Sequence, residues 1–126
     1  MQEYKELLQL TQTLLDYLDT LSNKYAEVKE TGEKGDFYEE VKPFADEVKG
    51  INDAWKEEAI KWVKNVGPKN LYNQQIDSAH EHVETVSVQA FFPDTSRSRF
   101  NSSIASARYV LNNMIHLLIE EGKPSK

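Results

Sequence analysis

The sequence predicts an all-α protein, an antiparallel up-and-down four-helix bundle, and three observations carry that prediction. Apolar residues recur at three- and four-residue steps through four long segments. Stretches that contain Gly or Pro separate those segments: "TGEKGD" at 31–36, "VGPKN" at 66–70 and "FPDTS" at 92–96. No segment shows the apolar–polar alternation and hairpin turns that a sheet requires.

The first helix is expected over about 2–29. Leu7, Leu14, Leu18, Leu21, Tyr25 and Val28 form one stripe, widened by Leu8 and Leu15. Two glycines in "TGEKGD" stop it, and Asp36, with Glu39 three residues on, is the natural cap for the second segment. In that segment Phe37, Val41, Phe44 and Val48 keep helical spacing, yet Pro43 lies among them. Proline lacks a donor and disfavours helical geometry at Lys42, so a kink or a short first turn is expected there. A further break is expected at Gly50, with Asn52 or Asp53 restarting the helix and Trp55, Ala59, Trp62, Val63 and Val66 on its buried face. The third helix, about 72–91, aligns Ile76, Ala79, Val83, Val86 and Ala90. The fourth, about 95–121 and capped by Asp94 or Thr95, aligns Phe100, Ile104, Ala107, Leu111, Met114 and Leu118, with Gly122 beyond its end. Trp55 and Trp62 are seven residues apart, hence on one stripe, and read as core.

A chain of 126 residues suits one domain, 1–126, with a disordered tail from about 122. Cysteine is absent, which excludes disulfides, thiolate nucleophiles and zinc–thiolate sites. No basic, then apolar leader is visible at the start, and no apolar run approaches the roughly 20 residues that span a bilayer. A cytoplasmic protein without membrane contact is expected. The net charge of −6 is uneven. Residues 1–60 hold 15 acids against 7 lysines, and residues 61–126 hold 8 bases against 6 acids. The acidic half argues against nucleic acid as the partner, because such binders present a basic face.

The run "DFYEEVKPFADE" (36–47), Trp55 with Ala59, "PK" at 68–69, "QID" at 75–77 and "RF" at 99–100 resemble the YppE-like family of small uncharacterised proteins from Bacillus-type Gram-positive bacteria. The similarity runs over about 5–120 and includes no catalytic signature. The resemblance implies an up-and-down helical bundle and implies no activity. Where relatives are richer in basic residues before "RF", this chain has "DTSRS".

Few constellations could carry chemistry. No Gly-x-Ser-x-Gly elbow and no Gly-rich phosphate loop occurs, so neither an enzyme nor a cofactor is expected. No metal site is expected either; the nearest approach is Asp77, His80 and Glu84, which share one helical stripe at i, i+3 and i+7. His80 and His82 project to opposite flanks of the core and cannot chelate one ion. The inward Glu-x-x-His pairs of di-iron bundles are missing.

All three arginines fall within twelve residues, Arg97, Arg99 and Arg108. At a helix start positive side chains oppose the macrodipole, which keeps an anion role open. Geometry opposes it: Arg97 and Arg99 diverge by about 160°, and Arg97 lies roughly 16 Å from Arg108 along the axis. Pairing with acids of the same chain is the favoured expectation. Tyr109 and His116 share the polar face of the fourth helix. The leading expectation is therefore a non-catalytic interaction or structural accessory module, monomeric or weakly dimeric, with an unknown protein partner. The candidate surface comprises Lys69, Arg97, Arg99, Arg108, Tyr109 and His116. The alternatives are anion or nucleic-acid binding through the Arg97/Arg99 region, and a metal-binding bundle through Asp77, His80 and Glu84.

Overall fold

Each apolar stripe turns inward, and together the four stripes make one core. The computed structural model describes residues 4–68 and 70–121. It contains α1 (Lys5–Thr31), a single π turn (Phe37–Val41), α2 (Lys42–Val66), α3 (Asn73–Gln89) and α4 (Arg97–Glu121), with no strand among the described residues. Successive helices pack on one another and α4 returns to α1, while α1 and α3 touch only slightly across the diagonal. That is the up-and-down four-helix arrangement.

All six apolar residues expected on the first stripe are buried, as are the five on the third and the six on the fourth. Trp55 and Trp62 are fully enclosed. A fully buried Trp carries 150–250 Å² of surface, so these two side chains are a main source of core area. Thr11 occupies the α1 stripe between Leu7 and Leu14 and is also buried. Its Oγ1 donates to the Leu7 carbonyl at 2.7 Å and accepts from the Trp55 indole Nε1 at 3.1 Å. The polar atom that the stripe carries inward is thus the acceptor that the buried indole requires.

The helix ends obey local chemistry. Gly32 (φ 73°) and Gly67 (φ 62°) close α1 and α2 in the left-handed conformation, and each donates its N–H to the carbonyl four residues back. Asp36 accepts from the Glu39 N–H at 2.8 Å, as the sequence suggests, although the turn it caps is π rather than α. The α4 cap differs from expectation: Ser96 Oγ accepts from the Arg99 N–H, while Thr95 Oγ1 donates back to the Gln89 carbonyl.

The second segment corrects the reading of Gly50. The π turn hands over to α2 at Lys42–Pro43, so the widened turn, in which the Lys42 N–H reaches back to the Phe37 carbonyl, falls just before the residue that has no N–H to donate. From there α2 continues unbroken through Gly50 to Val66. A helical glycine costs only about 1 kcal/mol, and the burial of Val48, Asn52 and Trp55 on either side outweighs it. Asn52 is a buried side chain rather than a helix cap. Two expected apolar positions face out: Phe37 is 50% exposed and edge-stacks on Tyr38, and Val66, in the last turn, is 42% exposed. The tail at 122–126 and Lys69 lie outside the described residues.

The 32–41 connection is pinned to the α3–α4 corner. The Gly35 N–H donates to the Phe91 carbonyl at 2.8 Å, and the Lys24 ammonium pairs with Glu40 at 2.6 Å while lying 5.7 Å from the Phe91 ring. From the same corner, the Tyr25 hydroxyl donates to the Thr95 carbonyl at 2.6 Å, and its ring stacks on Phe100.

Candidate functional site

Helical spacing places Asp53 on the edge of α2 that faces α3, one residue past buried Asn52. Asn52 Nδ2 donates to the His80 carbonyl at 2.8 Å, which fixes the stagger of the two helices at this level. Asn52 Oδ1 is buried and accepts no hydrogen bond among the described residues. The register brings Asp53 Oδ1 to 2.8 Å from His80 Nε2, and a carboxylate can only accept, so the imidazole carries its proton on Nε2 here. Lys49, one turn before Asp53, reaches Asp53 Oδ2 at 3.0 Å and Glu84 Oε2 at 3.5 Å. The hydrogen bond from His80 and then that from Lys49 hold the Asp53 carboxyl below its ordinary range. The hydrogen bond to Asp53, reinforced by its charge and that of Glu84, raises the Lys49 ammonium.

This cluster changes the membership of the sequence candidate. His80 and Glu84 are brought together, but Asp77 is not with them: it pairs with Lys56 at 3.3 Å. Its place is taken by Asp53, and ligand atoms of Asp53, His80 and Glu84 lie within 4.8 Å of one another. A two-helix contact between residues 27 apart has no short-range sequence signal. The visible hint is an acid on α2 flanking its buried stripe.

The arginines divide. Arg108 pairs with Asp19 of α1 at 2.7 Å, as the pairing expectation required. Arg97 and Arg99 make no ion pair among the described residues. Arg97 shares a pocket of about 480 Å³ between α1 and α4 with Lys29 and Glu30, whereas Arg99 borders a different one with Gln89, Ser98, Ser102 and Ser103. The structure therefore does not bring these two together on one ligand-sized site.

Tyr109 is 69% exposed at the edge of an open groove of about 470 Å³ between α3 and α4. Gln74, Gln75, Ser78, Ala105, Ser106 and Val110 line it. Gln75 Oε1 accepts from the Tyr72 N–H at 2.8 Å, and Tyr72, just before α3, is itself exposed. His116 is exposed two turns farther along α4 than Tyr109. No helix among the described residues is long and apolar enough to cross a membrane.

The fold and these surfaces define a small up-and-down helical bundle with polar flanks and a small-residue groove between α3 and α4. The chain belongs to the family described as a bacterial domain of unknown function, DUF1798, whose profile matches residues 11–118. It is 24% identical over 106 residues to the uncharacterised protein YppE of Bacillus subtilis, covering 84% of this chain and 86% of that one. The crystal structure of YppE superposes with a TM-score of 0.89 at 23% identity, over 94% of this chain and 96% of that chain. A Listeria innocua protein of unknown function superposes with a TM-score of 0.90 at 30% identity, over 94% and 95%. The YppE-like resemblance read from the sequence is thereby confirmed, as is the bundle it implied.

Proposed function

We propose that this protein is a non-catalytic interaction module that engages a protein partner at the α3–α4 groove. The observation that supports this reading is the exposure of Tyr109 beside Ser78, Ala105 and Ser106. Small residues let a partner's side chains approach the helix backbones closely, and a tyrosine offers a large apolar body with a polar tip. Tyrosine is accordingly enriched at interface centres. A photo-crosslinking residue placed at position 109, with one at Glu57 on the outer face of α2 as control, tests it in native extract. A discrete adduct at 109 that is absent at 57 supports the groove; equal labelling or no adduct overturns it.

A second reading, anion binding, is favoured by one observation: Arg97 lacks an ion-pair partner among the described residues and shares its pocket with Lys29. Titration with inorganic phosphate, followed by amide chemical shifts, tests it. Shifts at Ser22, Lys29 and Asn101 that weaken between about 50 and 200 mM salt would support it, and unchanged spectra would end it.

A further inference from the structure

We propose that Asp53 of α2, with His80 and Glu84 of α3, forms a binding site for a first-row divalent cation of the Zn²⁺ type. The three side chains offer one imidazole nitrogen and two carboxylates, with ligand atoms within 4.8 Å of one another. At metal–ligand distances of about 2.1 Å, tetrahedral donors sit roughly 3.4 Å apart. Asp53 Oδ1 and His80 Nε2 lie 2.8 Å apart in a hydrogen bond, so completing the set requires that contact to open by about 0.6 Å, the half-exposed Glu84 carboxylate to rotate and Lys49 to move aside.

Three further features support a cation here. First, the cluster already attracts one: the Lys49 ammonium bridges Asp53 Oδ2 and Glu84 Oε2. Its side chain is 60% exposed, so it can swing into solvent and yield its place. Second, His80 sits at a fixed place in the α2–α3 seam. Its ring is only 14% exposed, and its backbone carbonyl is held by fully buried Asn52. Third, the ligands come from two helices, so a bound ion would link α2 to α3 beside the buried Val48–Trp55 layer.

The donor set selects the ion. An imidazole with two carboxylates suits Zn²⁺, Ni²⁺ or Fe²⁺ better than Mg²⁺ or Ca²⁺, which prefer oxygen alone. Ligation through Nε2 requires the neutral imidazole to carry its proton on Nδ1 instead. Three protein ligands leave a fourth position for water, as in open zinc sites.

The test is titration of the untagged, chelator-treated full chain with ZnSO₄ by calorimetry, with MgCl₂ as control. One equivalent of Zn²⁺ is expected to bind, and roughly 100-fold excess over Kd should raise Tm by roughly 5–10 °C. H80A and D53N should each weaken binding at least tenfold, whereas Asp77→Asn should leave it unchanged. Lys49→Gln should strengthen it several-fold by removing the competing ammonium. Circular dichroism checks that the variants fold, and side-chain ¹H–¹⁵N spectra of the wild type supply a readout free of mutation: only the His80 ring should shift. No saturable binding, a shift at His82 or His116 instead of His80, or equal loss in Asp77→Asn would each overturn the proposal.

Discussion

Replacing Thr11 by valine isolates a buried polar link between α1 and α2. Valine matches threonine in shape, so packing is preserved while the hydroxyl is lost. The Leu7 carbonyl loses its donor from Thr11 Oγ1 but keeps its place in the helical ladder. The Trp55 Nε1–H has no such fallback: its acceptor at 3.1 Å is gone and the residue is fully buried. Leaving a buried donor unsatisfied costs about 1–3 kcal/mol, and the extra methyl returns part of this, so a net loss of about 1–2 kcal/mol is expected. Urea unfolding followed by circular dichroism at 222 nm measures it. The Trp55→Phe variant in both backgrounds completes a double-mutant cycle. Phe has no donor to orphan, so the double variant should be more stable than the sum of the single effects implies, by about 1 kcal/mol. A T11V variant within about 0.5 kcal/mol of wild type, together with zero coupling, would refute the role assigned to this hydrogen bond.

Single contacts set three other outcomes. Partial burial and then the hydrogen bond to Glu47 push the Tyr17 hydroxyl up to about 12 from an ordinary value of 10.0. The folded value lies above the unfolded one, so this contribution is complete below pH 10 and is lost as pH rises through about 12. Ultraviolet phenolate titration should show one late tyrosine that Y17F removes; no late step would contradict it. At Gly50 an added Cβ meets nothing within 4 Å, so Gly50→Ala should stabilise α2 by about 0.5–1 kcal/mol in thermal unfolding. At Gly35 the same methyl would lie 2.8 Å from Glu40 Oε1 and 3.0 Å from Phe91 Cδ1. Gly35→Ala should therefore destabilise by about 1–2 kcal/mol, and equal effects at the two glycines would refute this contrast.

The sequence by itself determined which residues are helical and which are buried along most of the bundle. Helical periodicity and turn chemistry are local, so the α1, α3 and α4 stripes were legible from spacing and the stops near Gly32 and Gly67 from the glycines themselves. Local rules misjudged Gly50, because its cost of about 1 kcal/mol is decided against tertiary packing that no short window contains. They misplaced the exposure of Val66 for a similar reason: a stripe continues past the point where its neighbouring helix ends. Tertiary structure alone decided the candidate site. His80 and Glu84 were visible as one face of a helix, but whether Asp77 or Asp53 joins them depends on the rotation and stagger of α2 against α3. Asn52, bonded to the His80 carbonyl, and the buried Trp55 layer fix that stagger, and with it they exchange Asp77 for Asp53.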